Sequence, residues 1–259
     1  NIYFMNKNKL YPGCSGIIKK DTQKLHHIEY LNGDYRLSIG DTIMRDMITG
    51  DVIGFNRQPS LLFSNLSSHK VIVLNRGETL RMNVAACPLY NADFDGDAMN
   101  GLVSLNIQAR NELQKLSSVS NWVISHKTGA PVMGGYQDSM IGMSQFTRSD
   151  IYMNKYHAMR MVSQIDPYLK NFNFTKKIYQ GREIVSMLLP KINYPKKKAQ
   201  IYREQYTPYI NYNLDDIEVK IDRGQLISGS LDKSTIGSTM GSIFHIINNE
   251  YGSDAALDT

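Results

Sequence analysis

The chain has 259 residues, of which 42% are hydrophobic and 20% are charged, so it can form one large folded domain or two modest ones and is not disordered by composition. Lysine and arginine number 29 against 24 aspartate and glutamate, and the net charge of +5 permits a polyanionic partner without requiring one. The two cysteines lie in no C-x-x-C pair, which excludes the usual zinc spacing. Two cysteines also make a poor disulfide framework, so we expect free thiols.

Residues 1–104 are predicted to be mostly β. Turn signals, for example at 32–34 and 75–77, divide this segment into short apolar stretches, and many short strands are typical of a barrel or a sandwich. Residues 71–74 predict a short buried strand, and the alternation of apolar and polar residues over 80–84 predicts a half-buried strand.

The remainder, 105–259, is predicted to be mixed. Ser149 or Asp150 is expected to cap one helix and Gly252 to end another, with Met240 facing inward. Apolar spacing predicts three helices, over 105–118, 149–164 and 234–250.

Other parts of this segment lack a helical period. Residues 127–143 are rich in glycine and methionine and are expected to be irregular, and a surface excursion is expected around 194–198. A β-hairpin is predicted over 217–231, with Arg223 and Gly224 forming its turn.

One acidic run requires a chemical explanation. Asp93, Asp95 and Asp97 occur at i, i+2 and i+4 in the sequence Asn-Ala-Asp-Phe-Asp-Gly-Asp. Three carboxylates so close repel one another, and each raises the pKa of the others unless a cation lies among them. Gly96 allows a tight loop on which the three side chains converge. Because only oxygen ligands are offered, we predict a magnesium site.

The acidic run has three alternative interpretations. An EF-hand fails because, counting from Asp93, glycine falls at position four and Ser104 at position twelve. A haloacid-dehalogenase-like phosphatase is disfavoured because residues 87–91 are not a buried apolar strand and Asp97 stands where threonine is expected. A solvated acidic turn stays open, although the strand-like alternation and the polar Asn91 alongside weaken it.

The run 91–100 resembles the signature of the largest subunit of multisubunit DNA-dependent RNA polymerases. The sequence Phe-Asn-Arg-Gln-Pro-Ser-Leu at 55–61 resembles a second motif of that family. Further stretches that resemble the family follow the same order, at 11–13, 38–51, 129–142, 180–190 and 224–237.

Two positions depart from the family pattern. Leu62 and Leu102 stand where the family usually has histidine, which leaves local contacts in doubt but not the metal site. Such drift favours a divergent member, for example from a large DNA virus. The resemblance covers a piece of the subunit, and the absence of an initial methionine also favours a segment of a longer protein or a split gene.

The resemblance implies an α+β fold. Residues 1–104 would form the catalytic double-psi β-barrel region, incomplete at its N-terminus, and 105–259 a mixed helical and β pore region. The implied activity is template-directed RNA synthesis by nucleotidyl transfer, only within the multisubunit assembly. The three aspartates would hold one Mg²⁺ permanently, and a second ion would arrive with the nucleotide.

The resemblance also implies site residues and partners. Arg57 and Asn91 would contact the ribose hydroxyls, while Gln58, Lys70 and Arg81 are candidates for nucleic-acid contact. The partners would be the second-largest and other polymerase subunits, the DNA template, the RNA product and nucleoside triphosphates. No membrane partner is expected, and the location would be intracellular: nucleus, cytoplasm, or a virion and viral factory. A polymerase-derived binding domain without activity and a small magnesium phosphohydrolase are the rival functions.

Overall fold

The computed structural model describes residues 14–27, 30, 36–74, 76–165, 174–198 and 213–258. The motif at 11–13 and the predicted turn at 32–34 lie outside these ranges, as does Asn75 of the second predicted turn.

The described chain is mixed α and β. Its strands are β1 (Cys14–Ile18), β2 (Leu25–His27), β3 (Thr42–Arg45), β4 (Val52–Asn56), β5 (Leu66–Lys70), β6 (Asn100–Val103), β7 (Tyr152–Asn154), β8 (Ile178–Gln180), β9 (Tyr194–Lys198), β10 (Glu218–Asp222) and β11 (Gln225–Ser228). Its α-helices are α1 (Cys87–Tyr90), α2 (Ile107–Lys115), α3 (Asp138–Phe146), α4 (Lys155–Ile165), α5 (Gly181–Leu188), α6 (Lys233–Ile236), α7 (Ile243–Tyr251) and α8 (Ser253–Asp258). Short 3-10 turns occur at Phe63–Asn65, Val84–Ala86, Val119–Trp122 and Leu214–Asp216.

The strands form small sheets. Their orders are β2-β1-β3, β5-β4-β6, β7-β8 and β11-β10-β9. This mixed architecture confirms the expected combination of α and β, but the strands of the described ranges do not close into a barrel, so the double-psi topology is not confirmed.

The chain divides into two compact units. Of the described residues, the first contains those within 1–55, 68–80 and 101–116, and the second contains those within 56–67, 81–100 and 117–259. The predicted division after residue 104 stays a prediction.

Two predicted strands are wrong. Residues 71–74 follow β5 without continuing it, and Ile72 is 74% exposed. At 80–84 the Asn83 side chain accepts a hydrogen bond from the backbone N–H of Ala85 at 2.9 Å, which starts a 3-10 turn in place of a strand.

Helix α2 confirms the helix predicted at 105–118 over a shorter range. Asn106 caps it by accepting a hydrogen bond from Ala109 N–H at 2.7 Å. No residue of this helix is fully buried, and Leu105 just before it is 98% exposed.

The core of the second unit lies where α5 packs against the sheet β11-β10-β9. Its buried side chains include Val185, Ile192, Tyr194, Val219, Ile221, Leu226 and Ile247. Strand β9 therefore overturns the surface excursion predicted at 194–198, since Tyr194 is 2% exposed and β9 pairs with β10.

The predicted β-hairpin is confirmed. Strands β10 and β11 pair in antiparallel fashion. Arg223 and Gly224 between them have φ values of 48° and 79°, the left-handed pair that suits a two-residue hairpin turn.

The helix predicted over 149–164 begins later than expected. Residues 152–154 form β7, and the Asn154 side chain accepts a hydrogen bond from His157 N–H at 2.9 Å, so neither Ser149 nor Asp150 is the cap. Helix α3 lies partly within 127–143, which was expected to be irregular.

The helix predicted over 234–250 is two helices, α6 and α7. Gly237 ends α6 and Met240 is 63% exposed, while Gly252 ends α7 as predicted. Both cysteines are buried thiols. Among the described residues, no helix combines the length and apolar character needed to cross a membrane.

Candidate metal centre

The acidic loop follows directly from α1. Pro88 lies in the first turn of this helix, where a missing N–H is tolerated. Tyr90 in its last turn is 1% exposed, and its hydroxyl lies 2.5 Å from Ser67 Oγ. Asn91 ends the helix in the left-handed conformation, with φ 49° and ψ 44°, which asparagine tolerates better than most residues. The chain thus leaves an anchored helix at a defined angle.

The three aspartates converge on this loop. The backbone bends over 94–96, where Gly96 has φ 117°. One carboxylate oxygen from each of Asp93, Asp95 and Asp97 lies within 4.8 Å of the others. The first two side chains are exposed and the third is half-buried. A side-chain hydrogen bond in which Asp95 is the acceptor, together with the neighbouring negative charges, raises the pKa of Asp93. This mutual repulsion and the oxygen-only donor set fit a hard divalent cation such as Mg²⁺.

Arg57 contacts the same cluster. Its Nε lies 2.7 Å from Asp97 Oδ2, and its Nη2 donates to Asp97 Oδ1 at 3.3 Å. The Asp93 backbone N–H also donates to Asp97 Oδ2, at 3.2 Å. The Arg57 hydrogen bond holds the pKa of Asp97 below its usual value and raises the pKa of Arg57. The guanidinium therefore neutralises one carboxylate and leaves net negative charge for a cation.

The loop that carries Arg57 is held by side chains that sequence reasoning missed. Asn56 Nδ2 donates to Ser60 Oγ at 3.1 Å, and Ser60 Oγ donates to the Arg57 carbonyl oxygen at 3.2 Å. The peptide bond between Gln58 and Pro59 is cis. The Asn-x-x-x-Ser spacing around a proline was the available signal, whereas nothing in the local sequence indicated the Tyr90–Ser67 contact.

The other three predicted nucleic-acid contacts are exposed residues. Gln58 and Arg81 are exposed, and neither contacts the three carboxylates in the described part of the chain. Lys70 is exposed at the end of β5, in the first unit. Leu62 and Leu102, which replace the histidines of the family pattern, are 57% and 53% exposed.

Two family models match this chain. The model described as RNA polymerase Rpb1, domain 2, covers residues 1–119, and the model described as RNA polymerase Rpb1, domain 3, covers residues 122–259. The chain belongs to the RNA polymerase Rpb1 family. The Rpb1 domain 2 match includes Arg57 and the whole acidic loop.

Curated relatives carry the same family name. The DNA-directed RNA polymerase RPB1 homolog of African swine fever virus (strain Badajoz 1971 Vero-adapted) is 44% identical over 268 residues, covering 98% of this chain and 18% of the relative. The DNA-directed RNA polymerase II subunit RPB1-B of Trypanosoma brucei brucei is 36% identical over 221 residues, covering 84% of this chain and 12% of the relative. The Rpb1-family chain thus spans under a fifth of the length of these relatives, and its similarity to a viral protein agrees with the expected divergence.

Proposed function

We propose that this chain is the catalytic segment of the largest subunit of a DNA-directed RNA polymerase, with Asp93, Asp95 and Asp97 as its magnesium ligands. The convergence of the three carboxylates within 4.8 Å carries the proposal. The names of the relatives, which are DNA-directed RNA polymerase subunits, supply the reaction class.

When bound, divalent metal would stabilise the attacking and leaving oxygens of an in-line nucleotidyl transfer. Such a transfer depends on positioning and electrostatics, so the chain needs no nucleophile of its own. Its contribution is to hold three carboxylates at one point, at the end of a helix anchored by Tyr90.

Arg57 and Asn91 are proposed to contact the ribose hydroxyls of the incoming nucleotide. Both suit this role chemically, because a guanidinium donates hydrogen bonds in a fixed plane and an amide both donates and accepts. Asn91 lies two residues before Asp93, and Arg57 already contacts Asp97. Gln58, Lys70 and Arg81 remain proposed contacts to nucleic acid, at exposed positions.

The wider assignments rest on the family. We infer that residues 1–104 contribute to a double-psi β-barrel and 105–259 to a pore region. We also infer that the chain works inside the cell with the second-largest subunit, other polymerase subunits, a DNA template, an RNA product and nucleoside triphosphates.

The test is Asp95→Ala in the assembled polymerase. RNA synthesis should fall by about a hundredfold or more, because one carboxylate of the cluster is lost. The fold should persist, with a thermal midpoint changed by less than roughly 2 °C, since the substitution relieves repulsion at an exposed position. Asp21→Ala, in an exposed turn of the other unit, is the matched control and should transcribe normally. Wild-type elongation by the Asp95→Ala polymerase would refute the assignment.

A further inference from the structure

Both carboxylate oxygens of Asp97 already accept N–H donors of the protein. Arg57 approaches Oδ2 at 2.7 Å through Nε and Oδ1 at 3.3 Å through Nη2, and the Asp93 N–H also bonds Oδ2 at 3.2 Å. A cation that takes Asp97 as a ligand must share or replace at least one of these contacts. The guanidinium is the replaceable partner, because it lies on a long side chain that is 24% exposed.

The backbone behind Arg57 is fixed, so any adjustment is confined to its side chain. Ser60 Oγ accepts a hydrogen bond from Asn56 Nδ2 at 3.1 Å and donates one to the Arg57 carbonyl oxygen at 3.2 Å. The first bond connects the residue before Arg57 with the residue three positions after it, and the second connects that residue to Arg57 itself. The side chain can therefore leave Asp97 without displacing the loop.

We propose that Arg57 is a resident counter-cation of the acidic loop, one that competes with the metal for Asp97 and is released from it when the metal binds. This inference rests on the proposed magnesium site. Without metal, the guanidinium offsets part of the repulsion among Asp93, Asp95 and Asp97. With metal, its donors become available to a neighbouring ligand, and Arg57 links occupancy of the metal site to recognition of the nucleotide.

Removing the positive charge of Arg57 is expected to change cation affinity in a defined direction. A positive guanidinium beside a divalent ion is repulsive, so removing it should strengthen cation binding, by about tenfold at low ionic strength and less in salt. If Arg57 only oriented Asp97 for the metal, its loss would instead weaken cation binding.

The experiment measures Mn²⁺ binding, as a paramagnetic substitute for Mg²⁺, by electron paramagnetic resonance on the full chain. Arg57→Gln should bind Mn²⁺ about tenfold more tightly than wild type, and Arg57→Lys, which keeps the charge, should stay within about threefold. Arg148→Gln is the matched control, because Arg148 forms an equivalent two-bond pair with Asp150 in the same unit. Thermal melts of the three variants check that each is folded.

Equal or weaker binding by Arg57→Gln would overturn the proposal, and so would an equal gain in Arg148→Gln, since the effect would then be one of overall charge. If the wild-type chain binds no Mn²⁺, or binds it at a site that Asp95→Ala leaves intact, the proposed function and this inference are overturned together. Binding that Asp95→Ala abolishes and Arg57→Gln leaves unchanged would overturn the inference alone.

A second measurement follows Arg57 directly. In a Mg²⁺ titration of the full chain followed by ¹⁵N NMR, the Arg57 Nε–H signal should shift and exchange faster with water, with the same midpoint as cation binding. An Nε–H signal that stays at its metal-free position through saturation would show that the guanidinium never leaves Asp97, and would overturn the proposal.

Discussion

Replacing Asp216 with asparagine tests the buried ion pair that joins α5 to the turn before β10. The Arg182 and Asp216 side chains are 8% and 3% exposed, and they form an ion pair. Asp216 also accepts hydrogen bonds from the Ser149 backbone N–H at 2.9 Å and from its hydroxyl at 3.1 Å. Arg182 Nε donates to the Thr147 carbonyl oxygen at 2.7 Å. Asp216→Asn preserves the size of the side chain and removes its charge, so the Arg182 cation stays buried beside neutral acceptors.

We expect Asp216→Asn to cause a large loss in the free energy of unfolding, although it exchanges a single heavy atom. Breaking a buried pair by removing one partner costs about 3–5 kcal/mol. Arg182 keeps its bond to the Thr147 carbonyl, so we expect the low end, about 3 kcal/mol. For a chain of this size that lowers the thermal midpoint by roughly 6–12 °C.

Urea unfolding followed by the fluorescence of Trp122 measures this loss. Trp122 is the single tryptophan and precedes Val123, which lies in the same core as Val185 of α5. Asp150→Asn is the control, because the pair of Asp150 with Arg148 is 50% and 40% exposed and contributes under about 1 kcal/mol. An Asp216→Asn midpoint no lower than that of Asp150→Asn would refute the reasoning.

Two further substitutions test packing and pH dependence. A Cβ at Gly181 would overlap the Phe146 carbonyl oxygen, so Gly181→Ala should lower stability by about 2–3 kcal/mol in the same urea assay, and an unchanged midpoint would contradict this packing. Arg45 holds the pKa of Asp51 at about 2, so the pair stabilises the fold above the ordinary aspartate pKa, and this stabilisation disappears as pH falls from about 4 to 2. Arg45→Gln should reduce the change in the free energy of unfolding over this pH range by under about 1 kcal/mol, since the Arg45 side chain is 44% exposed. A pH dependence identical to that of wild type would argue against the pair.

Local signals predicted local structure well. The hairpin turn at Arg223 and Gly224 and the helix end at Gly252 were read correctly because glycine and turn chemistry act within a few residues. The split between α6 and α7 was missed, although Gly237 ends α6 and the Ser242 side chain caps α7, and a distant contact adds to these local causes. Gly135 N–H donates to the Ile236 carbonyl oxygen at 2.7 Å, the acceptor that a continuing helix would use.

In the candidate site, too, a local pattern was predicted from the sequence and a long-range contact was not. The spacing of Asp93, Asp95 and Asp97 predicted their convergence, because three alternating carboxylates on a glycine loop have few other arrangements. The pairing of Arg57 with Asp97 spans 40 residues and depends on how the chain folds back. Patterns of spacing carry no information about such a contact, so the sequence indicated both residues but not their hydrogen bonds.

The acidic loop is attached at its two ends by different forces. At one end the Tyr90 hydroxyl is buried against Ser67, and burial raises the pKa of Tyr90 to about 12, so this attachment stays neutral in any physiological medium. At the other end the attachment of Asp97 to Arg57 is ionic and partly exposed, and it weakens as salt rises. Rising ionic strength therefore weakens the contact of Asp97 with Arg57 and leaves the hydrogen bond of Tyr90 with Ser67 unchanged. The electrostatics of the loop and its anchoring to the fold can thus vary independently.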